Sequence, residues 1–295
     1  IFSRACREYD FHTISPARLL ERITIVGPGL LGASLGMAIH ARGLAREVSV
    51  WARREESRAT CLETPWCQAA SGELEEALSG ANIAVLCTPV AHLSNILGQI
   101  HDILPTDCIL TDVGSPKGKI CQVASESKLV SFVGSHPIAG LEKTGMEHAR
   151  GDLFEGRPCF VTPLESTHPV PLEKVIALWQ SLDMRIIRCS PQKHDRILAQ
   201  VSHLPHFLAS ALCNALAKQP TEWKEGSGQG LRDATRIAAG SPTIWRDVAQ
   251  QNQQEILAAL DVFDEESKHL RSILEANDWE ALYRWLEEGK AFRDS

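Results

Sequence analysis

The stretch Gly134-Ser135-His136-Pro137-Ile138-Ala139-Gly140 carries one histidine between a serine and a proline, with a glycine at each end. It follows the apolar run Leu129 to Val133. An imidazole of ordinary pKa, about 6.5, is a neutral proton acceptor near neutral pH. It suits the removal of a proton from a hydroxyl whose carbon is losing a hydride. Ser115, after Gly114, can hydrogen-bond the same hydroxyl or steady the imidazole. Taken alone, His136 reads equally well as a satisfied turn histidine.

A second constellation would supply the hydride acceptor. The β-branched run Ile23-Thr24-Ile25-Val26 leads into Gly27-Pro28-Gly29-Leu30-Leu31-Gly32 and then into the helical pattern Ala33 to Arg42. Strand, glycine turn and helix form the context of a dinucleotide-binding turn. Gly27 permits the tight turn, Gly29 lets the backbone approach a pyrophosphate, and Gly32 lets helix and strand pack closely. The helix N-terminus offers unpaired N–H groups and a positive dipole end to the phosphates, and Leu30 and Leu31 of the turn count with the cofactor contacts. A second strand, Glu47 to Trp51, should end in an acid if the cofactor were NAD. It ends in Ala52-Arg53-Arg54 instead, and guanidinium groups suit the 2′-phosphate of NADP. We therefore expect NADP, with Arg53 as the leading contact, and keep NAD open because Glu55 and Glu56 follow. The plainer alternative is a pair of solvated arginines.

The elements that must position these groups alternate. Apolar runs at Ile83 to Cys87, Ile109 to Val113, Val130 to Val133, Cys159 to Val161 and Met184 to Arg188 read as buried strands. Helical patterns at Leu74 to Leu78, Ala91 to Ile103 and Leu172 to Leu182 lie between several of them. This alternation predicts an α/β fold, a Rossmann-type doubly wound sheet, over residues 22–190. Ligands bind such sheets beyond the carboxyl ends of the strands. Gly27, Thr88-Pro89, Ser115 and His136 each lie just after a predicted strand, so they should line one crevice, with Thr88 and Pro89 against the cofactor. From Pro191 strand signals stop, and residues 191–295 read as an all-helical domain. His194 to Lys218 is one long pattern that Pro205 should kink. Gly226, Gly228 and Gly230 mark a loop. Pro242 to Leu274 and Trp279 to Glu288 complete the set. Long apolar stripes with little to cover them predict a homodimer through this half.

Composition narrows the class. The chain has 295 residues, enough for two modest domains, with 44% apolar and 23% charged residues. A net charge of −7 speaks against nucleic acid as a partner. The nine cysteines are irregularly spaced with no CxxC pair, which argues against a metal site or disulfide framework and for a reducing cytoplasm. No apolar run approaches the ~18 residues of a membrane span. Residues 1–21 lack a signal-peptide core and read as an N-terminal extension. A cleaved organellar presequence stays open.

The residues around His136 resemble a known family. Gly134 to Gly140 followed by Leu141-Glu142-Lys143-Thr144-Gly145 is similar to the signature of the prephenate/arogenate dehydrogenases of tyrosine biosynthesis. Asp112-Val113-Gly114-Ser115-Pro116-Lys117 resembles their DxxSxK segment. Ser202-His203-Leu204-Pro205-His206 and Gly230-Leu231-Arg232-Asp233-Ala234-Thr235-Arg236 resemble two motifs of their helical half. The resemblance implies oxidative decarboxylation with hydride transfer to the nicotinamide. It implies His136 as the base for the C4 hydroxyl of the cyclohexadienyl ring, with Ser115 assisting. Arg236 would hold a substrate carboxylate, with His203, His206 and Lys143 also at the substrate. His206 resembles prephenate-using members, while Glu142 and Glu147 are acids that would favour arogenate. No C-terminal regulatory segment of the kind some relatives carry is expected. The readings left beside it are another NADP-dependent hydroxyacid dehydrogenase with a helical second domain, and a non-catalytic NADP-sensing protein.

Overall fold

A computed structural model describes residues 20–141 and 143–295. The expected N-terminal extension, apart from its last two residues, and Glu142 lie outside the described residues. The strands are β1 (Leu20–Val26), β2 (Ala45–Trp51), β3 (Ala69–Ser71), β4 (Ile83–Leu86), β5 (Ile109–Asp112), β6 (Phe132–Pro137), β7 (Pro158–Thr162) and β8 (Arg185–Arg188). Between them run α1 (Leu30–Arg42), α2 (Glu55–Leu62), α3 (Leu74–Leu78), α4 (Val90–Ile100), α5 (Gly118–Glu126) and α6 (Pro169–Ser181). The remaining helices are α7 (Pro191–Leu198), α8 (Leu204–Leu216), α9 (Glu222–Glu225), α10 (Gln229–Thr235), α11 (Pro242–Gln251), α12 (Gln253–Glu275) and α13 (Trp279–Asp294).

The strands form one sheet in the order β3-β2-β1-β4-β5-β6-β7-β8. All pairs are parallel except β6 with β7. The order reverses between β1 and β4, which opens a crevice at their carboxyl ends. β4 is buried along its whole length, as a parallel strand covered on both faces must be. One core cluster joins the sheet to α1 and α6 through Leu35, Ile39, Val175 and Trp179. The other joins it to α3, α4 and α5 through Leu78, Leu93, Leu97 and Ile120. α1 ends on Gly43, whose φ of 59° lets its N–H reach back to the His40 carbonyl.

The chain divides into two compact units, residues 20–195 with 239–251, and residues 196–238 with 252–295. The described doubly wound sheet agrees with the expected class. Several boundaries differ. Leu20 and Glu21 belong to β1 rather than to an extension. β3, α2 and α5 are additional elements, each too short or too polar to announce itself by periodicity. α11 belongs by its contacts to the first unit, where it packs against α4.

His136 does not follow its strand; it lies inside it. β6 pairs with β5 only over Phe132 and Val133 and then runs on past the end of that neighbour. Its last residues pair instead with the antiparallel β7, with His136 opposite Phe160. A strand that outruns one neighbour is held straight by the other.

Within the second unit the long pattern from His194 is not continuous α-helix. α7 gives way to a π-helical turn, Ala199–His203, before α8 begins. The Leu204 N–H bonds the Ala199 carbonyl, five residues back. Pro205 has no N–H to give and its ring crowds the preceding turn, and widening that turn relieves the crowding. The expected run Pro242 to Leu274 is also broken, at Asn252, whose φ of −125° lies outside the helical region. α13 continues to Asp294, beyond the expected Glu288.

Candidate active site

The carboxyl ends of β1, β4, β5 and β6 are adjacent along one edge of the sheet. They carry Gly27, Thr88, Ser115 and His136 in that order. The glycine turn is shaped by close approach. Gly27 has φ +103°, and a Cβ there would sit 2.8 Å from the Thr88 methyl. A Cβ on Gly32 would lie 2.2 Å from the Gly27 carbonyl oxygen. A Cβ on Gly29 would meet nothing within 4 Å. No contact among the described residues explains a glycine at 29, so its Cβ position opens onto space a ligand can fill. Gly29 is the N-cap of α1 with no side-chain cap bond, and the first turn holds no acid. The amides of Leu30 and Leu31 and the positive end of the helix therefore remain for an anion. Thr88 Oγ1 is buried and, among the described residues, has no hydrogen-bond partner. A bare helix N-terminus, open space at Gly29 and an orphaned hydroxyl together fit a dinucleotide phosphate.

Pro89 caps α4 at the same edge. Arg53 and Arg54 are exposed on the β2–α2 connection. Arg58, which the sequence reading passed over, donates to the Ala52 and Arg53 carbonyls at 2.8 and 3.0 Å and braces that connection.

Beneath Ser115 and His136 lies a buried polar network. Lys117 and Asp112 are both fully buried and form an ion pair through Nζ and Oδ2. Lys117 Nζ also donates to the Ser135 carbonyl at 2.8 Å. Asp112 takes the Gly114 N–H on Oδ2 at 2.8 Å and the Ser135 N–H on Oδ1 at 3.1 Å. Ser135 Oγ donates to the Asp112 carbonyl at 2.5 Å and accepts from Trp179 Nε1 at 3.0 Å. The loop bearing Ser115 and the strand bearing His136 are thus tied together by a satisfied set of charges.

His136 Nδ1 lies 2.9 Å from His194 Nε2. His194 Nδ1 lies 2.7 Å from Asp195 Oδ1. Asp195 also accepts the Lys117 N–H on Oδ1 and the Gly118 N–H on Oδ2, both at 2.7 Å. Burial pushes the His194 pKa down, against the opposing hydrogen bond to Asp195. Neither His194 nor Asp195 figures among the residues the sequence reading singled out. The only signal there is an adjacent His-Asp pair near the start of a helix. Cys87, Cys121 and Cys159 lie near the same edge, and burial raises all three thiols. Thiolate chemistry is therefore disfavoured.

The other candidate substrate residues divide between the units. Lys143 is exposed on the segment after Gly140 in the first unit. Glu147 lies in a 3₁₀ turn, Met146–His148, with its carboxylate close against the position a Gly145 Cβ would take. In the second unit His203 is buried, with Asn252 Nδ2 3.2 Å from its Nδ1. His206 is buried and its pKa is lowered by that burial, against a hydrogen bond with the Ile237 backbone. Arg236 is the C-cap of α10 and opens a 3₁₀ turn, Arg236–Ala239.

Residues 35–188 match the family model described as the prephenate dehydrogenase nucleotide-binding domain, and residues 190–288 that of its dimerization domain. The chain belongs to the prephenate dehydrogenase family. It is 28% identical over 283 residues to the prephenate dehydrogenase of Bacillus subtilis, covering 94% of this chain and 76% of that one. The fold is similar to that of prephenate dehydrogenase from A. aeolicus in complex with hydroxyphenyl propionate and NAD+. The TM-score is 0.88 at 29% identity, over 95% of this chain and 98% of that one. It is similar also to Synechocystis arogenate dehydrogenase, with a TM-score of 0.83 at 30% identity over 92% and 99% of the two chains. Family membership makes this an oxidoreductase of prephenate/arogenate dehydrogenase type with a nicotinamide cofactor.

Proposed function

We propose that the protein oxidatively decarboxylates prephenate, arogenate or both, with NADP as the preferred hydride acceptor, giving 4-hydroxyphenylpyruvate or tyrosine. The observation that carries this reading is the shared sheet edge. A helix N-terminus open to phosphate, at the end of β1, and a histidine held for proton transfer, on β6, stand on the same edge of the sheet with the ends of β4 and β5 between them. The turn Gly27 to Gly32, with Leu30, Leu31, Thr88 and Pro89, would hold the dinucleotide. The bound nicotinamide supplies the acceptor for the hydride leaving C4. His136 takes the proton of the C4 hydroxyl, and Ser115 hydrogen-bonds the same oxygen. The ketone that forms is conjugated with the ring and draws electrons from C1, so the carboxylate leaves as carbon dioxide and the ring becomes aromatic. Arg236 is the proposed clamp for a substrate carboxylate, with Lys143, His203 and His206 as further substrate contacts.

Preference for NADP rests on Ala52-Arg53-Arg54, where NAD use calls for an acid. The A. aeolicus relative was solved with NAD+, so the two cofactors must be compared directly. The helical unit is the proposed homodimer interface. It exposes the large apolar side chains of Trp223, Leu257, Val262, Phe263, Tyr283 and Leu286. No helix of the described residues is long and apolar enough to cross a membrane. A reducing cytoplasm fits the free cysteines.

The test is the absorbance of reduced nicotinamide, with prephenate and with arogenate, each against NAD and NADP. We expect reduction with at least one acid and a lower KM for NADP. Arg53→Ala should raise the KM for NADP about tenfold, the equivalent of one charge-assisted bond, and leave that for NAD unchanged. No reduction with either acid sinks the catalytic reading. A lower KM for NAD sinks the Arg53 argument alone.

A further inference from the structure

The proposed function makes His136 the base; it does not say what decides which of its two nitrogens bears the proton. We infer that His194 and Asp195 form a positioning pair that sets the tautomer of His136 and stabilises its protonated form. This rests on the proposed role of His136 as base.

The argument runs inward from the carboxylate. Asp195 already accepts two backbone N–H groups at the start of α5, one on each oxygen. A carboxylate whose oxygens both receive N–H donors acts there as an acceptor. His194 Nδ1, 2.7 Å from Oδ1, must therefore be a donor. A neutral His194 then has its lone pair on Nε2. Its burial supports the neutral form. The only hydrogen bond His136 Nδ1 can make to that nitrogen, at 2.9 Å, is as a donor. The proton of neutral His136 is thereby fixed on Nδ1 and the lone pair on Nε2, where a base needs it. When His136 gains the substrate proton, the new cation is linked through His194 to the Asp195 carboxylate.

The surroundings of His194 agree. It is completely buried. The edge of Phe160 on β7 packs against its ring, centroids 5.0 Å apart at 87°. Phe160 is also the residue paired with His136 across the strands. The charged groups that act on His194 are Asp195 beside it on α7, Lys117 at the start of α5 and Asp112 on β5; His136 on β6 is its remaining titratable neighbour. Lys117 and Asp112 neutralise each other as a contact pair. Asp195 is the carboxylate in direct contact with His194, at the inner end of the relay.

The experiment compares wild type, His194→Leu and His194→Gln by kcat and KM across pH, together with ¹⁵N shifts of the histidine ring nitrogens in wild type. Leucine removes the acceptor for the His136 Nδ1 proton. Glutamine keeps an acceptor oxygen within reach. We expect His194→Leu to lower kcat roughly 10- to 100-fold with KM little changed, the scale on which supporting partners of a site ligand act. The acid limb of the kcat profile should move to lower pH, because the His136 cation has lost its support. His194→Gln should recover most of kcat. The ¹⁵N shifts should report Nδ1–H on His136. A wild-type His136 protonated on Nε2 overturns the inference, and so does a His194→Leu enzyme whose kcat and acid limb are those of wild type. A merely structural role would lower stability or the active fraction without moving the limb. The tautomer measurement needs no turnover, so it decides this point even if neither acid proves to be a substrate.

Discussion

Lys117 is among the largest fully buried side chains of the protein, and it is charged. Its ammonium is stabilised by Asp112 and the Ser135 carbonyl, and in turn it neutralises a carboxylate that organises the Ser115 loop. Removing one member of such a pair leaves the other charge buried and uncompensated. Lys117→Met should therefore destabilise the fold by about 3–5 kcal/mol, far more than the loss of a surface ion pair. Urea unfolding followed by circular dichroism measures this, and a change below 1 kcal/mol would contradict the burial argument. His194 makes a second prediction at this scale. Its folded pKa lies below the unfolded value of about 6.5. As pH falls through that value the unfolded chain takes up a proton that the folded site resists. The His194 contribution to stability is therefore complete above about pH 6.5 and is lost progressively below it. Chemical denaturation between pH 5 and 7 should show His194→Gln losing less stability on acidification than wild type.

At the scale of elements, the β1–α1 turn separates structural from ligand-facing glycines. Gly32 meets the Gly27 carbonyl, a rigid backbone atom, whereas Gly29 meets nothing. Gly32→Ala should cost about 1–3 kcal/mol through overpacking, read as a lower Tm. Gly29→Ala, whose methyl meets no neighbour, should lower Tm less than Gly32→Ala and instead weaken dinucleotide binding, measured by calorimetry. Equal losses of stability in the two variants would remove the distinction. β6 teaches a related lesson. Its first residues are held by β5 and its last by β7, so His136 rests on regular backbone rather than on a loose turn. The π turn before Pro205 does the same in the helical unit. It carries the buried His203, whose ring meets Asn252 at the break before α12.

At the scale of the whole molecule, the helical unit exposes several large apolar side chains. Tyr283 and Leu286 are 63% and 56% exposed and lie one turn apart on α13. Replacing both with glutamate should convert the proposed dimer to monomer in analytical ultracentrifugation, while the circular dichroism of the first unit is kept. A single species of unchanged mass would place the interface elsewhere. Much of the architecture was legible in the chain because its signals are local. β-branched runs, the required φ at Gly27 and the missing N–H of Pro205 are properties of neighbouring residues, and they determined the doubly wound sheet, the dinucleotide turn and the helical second half. The single histidine of Gly134 to Gly140 was legible for the same reason, as was the absence of an acid after β2. The tertiary structure decided what joins segments distant in sequence. It alone shows that β6 ends against β7, that Asp195 receives the backbone N–H of Lys117, and that His194 reaches His136 from 58 residues away. No local period encodes such meetings, because they depend on which strands become neighbours and on where a helix starts beneath them.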